Sequence, residues 1–160
     1  MFALDALIFR KEDLIDEKPL TGRYRDSSRF AAEYLTMKYK QESVIILVQD
    51  NNKFKSLKKP YDEKVSGIFF AITTPEIEML MIHHFGLYDR YIGSQTKKKR
   101  KPFIFLAETL KKKSAEIKHS DFIKETFTGE ALKSAIELYS SKSPRKYNKR
   151  NEIELVDLLK

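Results

Sequence analysis

Two short runs of apolar residues stand out in the first half of the chain, and each predicts a buried strand. Val44–Val48 is a run of five apolar residues, four of them β-branched, which is typical of a strand buried on both faces of a parallel sheet. Gly67–Ile72 is the second run. Right-handed crossover connections would make these two strands parallel neighbours. The apolar stretch Phe2–Phe9 predicts a first strand, although Asp5 interrupts it.

Helical spacing of apolar residues and capping signals predict helices between and after the strands. Asp26, Ser27 or Ser28 can cap a helix, because the side-chain oxygen of each can accept a hydrogen bond from a free N–H of the first turn. Thr74 can cap a second helix, with Pro75 in the first helical position. A capping box of Asn151 and Glu154 predicts a last short helix. The earlier predicted helices cover about residues 29–40, 75–91, 102–112, 120–127 and 130–139.

The order of these elements predicts an α/β fold, with a mainly parallel sheet flanked by helices and a helical C-terminal half. The chain has 160 residues, 41% of them hydrophobic, which is enough to bury a core without disulphide bonds. We expect residues 1–95 to form the α/β core. Residues 96–160 are expected to form a basic helical extension packed on the same domain.

Composition also limits the compartment. The chain contains no Cys, which favours a reducing environment. No run approaches the roughly 18 apolar residues of a membrane-spanning helix. The first residues lack the basic-then-apolar order of a secretory signal. We therefore expect a soluble cytoplasmic protein that does not associate with a membrane.

The net charge of +8 is concentrated in two C-terminal segments. Lys97–Lys118 holds nine Lys or Arg and two Glu, and Lys142–Arg150 holds five Lys or Arg and no acid. Such segments supply the sequence-independent part of nucleic-acid binding, although they could also be solvated loops. Tyr147 is expected to be exposed and to stack on bases. The residues predicted to contact DNA or RNA are Lys97, Lys98, Lys99, Arg100, Lys101, Arg145, Lys146, Tyr147, Lys149 and Arg150.

Carboxylates follow both predicted strands. Open parallel sheets bind ligands at the carboxyl ends of their strands, where Asp50 and Glu78 are expected to lie. A carboxylate at each strand end could hold Mg²⁺, which can polarise a phosphodiester and activate water. Alternatively, Asp50 forms a turn and Glu78 stabilises a helix N-terminus.

His84 is a further candidate catalytic residue. It shares a helical face with the apolar Leu80 and Met81. This position predicts either a buried, hydrogen-bonded core residue or a catalytic group. The chain has no glycine-rich phosphate loop and no Gly-x-Ser-x-Gly motif, so nucleotide hydrolysis and serine catalysis lack support.

The segment Thr-Pro-Glu-Ile-Glu-Met-Leu-Met-Ile-His-His-Phe, residues 74–85, resembles a signature of RloB-like proteins. That signature is Pro, any residue, an aromatic or aliphatic residue, Glu, five residues and His-Phe. The resemblance covers about residues 43–85. It implies a Toprim-type fold, which is a metal-binding α/β module, and a role in phage defence or in a mobile element.

The resemblance also implies a set of magnesium ligands. Glu12 would be the glutamate after the first strand, although the usual Glu-Gly context is missing. Asp50 would begin the Asp-x-Asp pair, and Glu78 would complete the site. The second carboxylate of the pair is replaced by Asn52, which lowers the charge of the site and should weaken Mg²⁺ binding.

Three functions follow from these features. The first is a nucleic-acid-binding protein on a degenerate Toprim-like scaffold. The second is a Mg²⁺-dependent nuclease in which Glu12, Asp50, Glu78 and His84 act. The third is a protein-interaction component, such as the partner of an ATPase or an inhibitor of another enzyme, whose basic segments meet an acidic protein surface.

Overall fold

The chain folds into two compact units. The structure is a computed structural model that describes residues 8–18, 20, 26–39, 42–49, 54–73, 77–96, 99–142 and 151–160. The sheet unit comprises residues 11–73 and 147–154, and the helical unit comprises residues 1–10, 74–146 and 155–160. The predicted boundary after residue 95 falls inside the helical unit, at the end of a helix.

Three parallel strands form the sheet unit, in the order β1 (Ser43–Gln49), β2 (Val65–Ile72) and β3 (Glu152–Ile153). In the pairing of β1 with β2, Ile45 lies opposite Ile68. The predicted α/β class and the parallel pairing of the two apolar runs are therefore confirmed.

The capping box predicted at Asn151 is wrong. The backbone carbonyl of Asn151 accepts a hydrogen bond from the N–H of Phe70, at 2.9 Å, and the chain continues as β3. A 3₁₀ turn follows over Leu155–Leu158. Pairing with β2 satisfies backbone groups that a local helix would otherwise satisfy, and a capping signal cannot reveal such a distant partner.

One face of β1 is exposed, contrary to the prediction. The side chain of Ile45 is buried, whereas Val44 and Val48 are 51% and 55% exposed. A run of apolar residues contains no alternation, so it does not show which face is covered. The buried core of the sheet unit consists of Phe30, Ala31, Leu35, Ile45, Phe54 and Leu57.

The first helix, α1 (Ser27–Tyr34), is capped by Asp26, which is one of the three predicted caps. The carboxylate of Asp26 accepts a hydrogen bond from the backbone N–H of Ser28, at 2.9 Å. The helix ends well before the predicted residue 40. Its inner side chains, including Phe30, pack in the core of the sheet unit.

Six helices are described in the helical unit. They surround two apolar clusters, one containing Met81, Ile82 and Leu106 and the other containing Leu80 and Leu132. Among the described residues, none of the helices is both long and apolar enough to cross a membrane. The helices are α2 (Ile77–His84), α3 (Tyr88–Gln95), α4 (Pro102–Leu110), α5 (Ser114–Ile117), α6 (Ser120–Thr126) and α7 (Gly129–Lys142).

A left-handed turn at Gly86 divides the helix that was predicted over residues 75–91. Gly86 has a φ of 65°, and its N–H donates to the carbonyl of His83 at 3.0 Å. The N–H of Leu87 donates to the carbonyl of Ile82 at 2.8 Å. This pair of bonds is the Schellman motif, which ends a helix where glycine can adopt positive φ. The helical spacing of apolar residues continues across the turn, so the sequence pattern did not predict the end of α2.

We expect the Gly86→Ala substitution to destabilise the protein by about 1 kcal/mol, because an alanine side chain disfavours the left-handed backbone. No atom lies within 4 Å of the added Cβ, so the expected effect comes from the backbone alone. Chemical denaturation measures this change in the free energy of unfolding.

Gly93→Ala is the matched control. Gly93 lies inside α3, and its added Cβ would also meet no atom within 4 Å. Alanine should stabilise this position by roughly 0.5–1 kcal/mol, because it favours the helix. Shifts of the same sign in both variants would contradict the special role of the Gly86 turn.

Candidate nucleic-acid interface

The carboxylates predicted to bind metal lie in different units or outside the described residues. Glu12 is exposed in a 3₁₀ turn (Lys11–Asp13) of the sheet unit, and Glu78 lies in α2 of the helical unit. Asp50 lies outside the described residues. Within the described part of the chain, no group of three or more acidic, His or Cys side chains is arranged to hold a metal ion. The magnesium site therefore stays a prediction.

The ends of β1 and β2 are joined where that site was expected. The N–H of Thr73 donates to the carbonyl of Gln49 at 2.9 Å. The side-chain Nε2 of Gln49 is buried and has no hydrogen-bond partner in the structure as described. One polar group at this end of the sheet is therefore unsatisfied. Asp50 and Thr74, which continue the chain from here, lie outside the described residues.

Glu78 is a buried carboxylate that faces a lysine. Its exposed fraction is 5%, and its Oε1 lies 3.9 Å from the Nζ of Lys118. The side chain of Lys118 is half exposed, and its Nζ lies 4.0 Å from the centre of the Phe103 ring. A cation above an aromatic face is attracted to it, so both Glu78 and Phe103 hold the ammonium group in place.

The predicted alternative in which His84 is a buried core residue is wrong. His84 is exposed, and its ring contacts Phe85 and Phe127 at centroid distances of 5.0 and 5.3 Å. His83 is instead buried, with 5% exposure. Residues of α2 contribute to both apolar clusters of the helical unit, so the helix is buried on more than one side. The spacing of apolar residues predicts only one buried face, and it therefore did not identify His83.

His83 is held between two tyrosines. Its ring stacks on Tyr88 at 4.5 Å and meets the edge of Tyr139 at 5.7 Å. Its Nε2 has no hydrogen-bond partner among the groups that the structure describes. Burial lowers the pKa of His83, and the positive charge of Lys142 lowers it further. The Nζ of Lys142 lies above the Tyr88 ring, 4.7 Å from its centre.

The first predicted basic segment is described from Lys99 to Lys101, directly before α4. Arg100 forms an ion pair with Glu108, whereas Lys99 and Lys101 are exposed and form no ion pair with any described residue. Arg100 is therefore paired within the protein, whereas Lys99 and Lys101 are not paired with a described residue. The sequence alone does not show this difference. The remaining predicted contacts, which lie outside the described residues, are Lys97, Lys98, Arg145, Lys146, Tyr147, Lys149 and Arg150.

Further lysines follow α4, and the predicted contact set did not include them. Lys111, Lys112 and Lys113 are consecutive and exposed, and within the described residues none of them forms an ion pair. The Nζ of Lys112 lies 5.1 Å from the centre of the Phe122 ring. The predicted helix over residues 102–112 already ended at these lysines, and the structure adds that all three are exposed.

We call this group of cations the α4 basic surface. Its members are exposed and lie before α4, after α4 or against the α4 side chain Phe103. Because α4 has nine residues, its two ends are about 14 Å apart. The α4 basic surface consists of Lys99, Lys101, Lys111, Lys112, Lys113 and Lys118.

Comparisons with protein-family models, with curated proteins and with solved structures give no significant match. The resemblance to RloB-like proteins therefore stays a prediction that rests on residues 43–85 alone.

The buried His83 predicts a loss of stability in acid. Its pKa is lower in the folded state than its usual value of 6.5, so the unfolded state binds more protons as the pH falls below that value. The stabilising contribution is present above pH 6.5 and is lost as the pH falls toward the folded-state pKa. Urea denaturation at pH 7.5 and at lower pH should show this decrease.

Substitution separates His83 from the other titrating groups. His83→Phe keeps an aromatic ring between the tyrosines but cannot bind a proton, so we expect a weaker pH dependence than in the wild type. His84→Phe is the matched control, because it makes the same replacement at the neighbouring, exposed residue. Equal pH dependence in the His83 variant and the wild type would contradict the assignment.

Proposed function

We propose that the protein binds nucleic acid through the α4 basic surface. The observation that carries this proposal is the grouping of six exposed lysines around one nine-residue helix. Five of them form no ion pair with a described residue, so their charges are available to an external anion.

The spacing of these lysines fits a phosphate backbone. Each strand of duplex DNA carries one phosphate for about every 3.4 Å of the helix axis, so lysines about 14 Å apart can reach different phosphates. Lysines at both ends of the helix could therefore contact one strand at separate phosphates. Lysine acts as a point charge that any phosphate satisfies, which supports binding without sequence preference.

The acidic residues of this region leave most of the positive charge unpaired. Residues 99–118 contain seven Lys or Arg and two Glu, which gives a local net charge of +5. One of the two glutamates, Glu108, pairs with Arg100, which is not part of the α4 basic surface. We therefore expect the affinity to fall steeply as the salt concentration rises.

The backbone conformation of Lys111 gives further support to the proposed function. Its φ is 54°, in the left-handed region, and the N–H of Lys112 donates to the carbonyl of Ala107 at 3.0 Å. A non-glycine residue in this conformation costs about 1 kcal/mol. Strained backbone is common at functional sites, and a lysine here carries charge that a glycine would not.

Replacement of three lysines tests the location of the interface. We expect Lys111→Gln, Lys112→Gln and Lys113→Gln together to lower the affinity for nucleic acid. The slope of the logarithm of the binding constant against that of the salt concentration should decrease in magnitude by up to about three. Fluorescence anisotropy with labelled single- and double-stranded DNA and RNA measures both quantities.

The matched control removes three charges from the sheet unit. Lys38→Gln, Lys55→Gln and Lys58→Gln change exposed lysines that form no ion pair in the described structure. Equal losses in the two triple variants would show a general charge effect and no local interface. Wild-type protein that binds no nucleic acid, but captures an acidic protein, would favour the interaction-component alternative. Cleavage that requires Mg²⁺ would favour the nuclease.

Lys111→Gly should change stability and binding in opposite directions. Glycine relieves the left-handed strain, so we expect a gain of up to about 1 kcal/mol in the free energy of unfolding. The loss of one phosphate contact should lower the affinity and the salt slope, the slope by about 0.9.

Lys112→Gly is the control for this substitution. It removes the same charge from the neighbouring position without relieving positive φ, so it should lower both stability and affinity. If Lys111→Gly binds as tightly as the wild type, Lys111 does not belong to the interface.

A further inference from the structure

The side chain of Gln95 binds the backbone of the basic segment. Gln95 is the last residue of α3, and its Oε1 accepts a hydrogen bond from the Arg100 N–H at 3.0 Å. Its Nε2 donates to the Arg100 carbonyl, also at 3.0 Å. One amide side chain thus satisfies both polar groups of one peptide residue, as a paired strand would.

A second side chain of α3 reinforces this contact. Tyr91 lies four residues before Gln95, on the same side of the helix. Its hydroxyl donates to the Arg100 carbonyl at 3.2 Å, and its buried ring packs against Phe105 of α4 at 5.2 Å. The backbone of Arg100 is therefore fixed to two helices of the helical unit.

Because the backbone of Arg100 is fixed, the directions of the neighbouring side chains are restricted. Lys101 has an extended backbone, with φ of −68° and ψ of 145°, and Pro102 restricts it to that region. These angles are those of a polyproline-II segment, in which successive side chains point in different directions. The Arg100 side chain accordingly turns to Glu108, while Lys99 and Lys101 are exposed.

We infer that Gln95 is a positioning residue, which holds Lys99 and Lys101 in the arrangement that binds the phosphate backbone of nucleic acid. The inference rests on the proposed function. A segment that is already fixed loses less conformational freedom when it binds, so the same lysines bind more tightly than they would on a mobile loop. Gln95 itself contacts no phosphate.

Gln95→Met tests this role, because methionine has a similar length but cannot form either hydrogen bond. We expect the Arg100 amide proton to exchange with solvent at least about tenfold faster in the free protein, as NMR measures. The affinity for labelled single- and double-stranded oligonucleotides should fall roughly three- to tenfold. The salt slope should not change, because no phosphate contact is removed.

Two comparisons separate positioning from direct contact and from general destabilisation. Lys99→Gln with Lys101→Gln should lower both the affinity and the salt slope, the slope by up to about two. Ser94→Ala removes a different hydrogen bond of the same helical turn, from the Ser94 hydroxyl to the Tyr91 carbonyl at 2.7 Å. It should leave both the Arg100 exchange and the affinity unchanged.

The outcomes distinguish this inference from the proposed function. Unchanged Arg100 exchange in Gln95→Met overturns the attachment, whatever the protein binds. Faster exchange with unchanged affinity, or a reduced salt slope, overturns the positioning role alone. Wild-type protein that binds none of the oligonucleotides overturns the proposed function, and the positioning role with it, even if the exchange result is as expected.

Discussion

The left-handed turn at Gly86 is the constraint on which the helical unit depends. Because glycine accepts positive φ, α2 ends there and α3 begins two residues later in a new direction. The new helix places Tyr88 against His83, and Tyr91 and Gln95 against the Arg100 backbone. A straight helix through residue 91 could not make these contacts, so the presentation of Lys99 and Lys101 follows from one backbone conformation.

Internal acids decide which cations are available on this surface. Glu108 binds Arg100, and the buried Glu78 faces Lys118, whereas the lysines at the two ends of α4 have no such partner in the described residues. Partly exposed ion pairs contribute only about 0–1 kcal/mol to stability. Their main effect here is to fix where a charge lies, and the unpaired lysines are left to attract an anion.

The helical unit combines an apolar core with polar groups that lack full hydrogen bonding. His83 is enclosed by Tyr88 and Tyr139, its Nε2 has no partner among the described groups, and burial lowers its pKa. The ammonium of Lys142 lies on the outer side of the same cluster, above Tyr88. Stability near neutral pH thus depends on a side chain that is not part of the α4 basic surface.

The sequence by itself determined the features that depend on neighbouring residues. Apolar runs located β1 and β2, three candidate caps at residues 26–28 located the start of α1 to within two residues, and Pro102 located the start of α4. The excess of positive charge near α4 was equally visible. Only the tertiary structure decided which histidine is buried, which face of β1 is exposed, and which cations remain unpaired. Those properties depend on contacts between residues far apart in the chain, and a local pattern of residue types does not contain them.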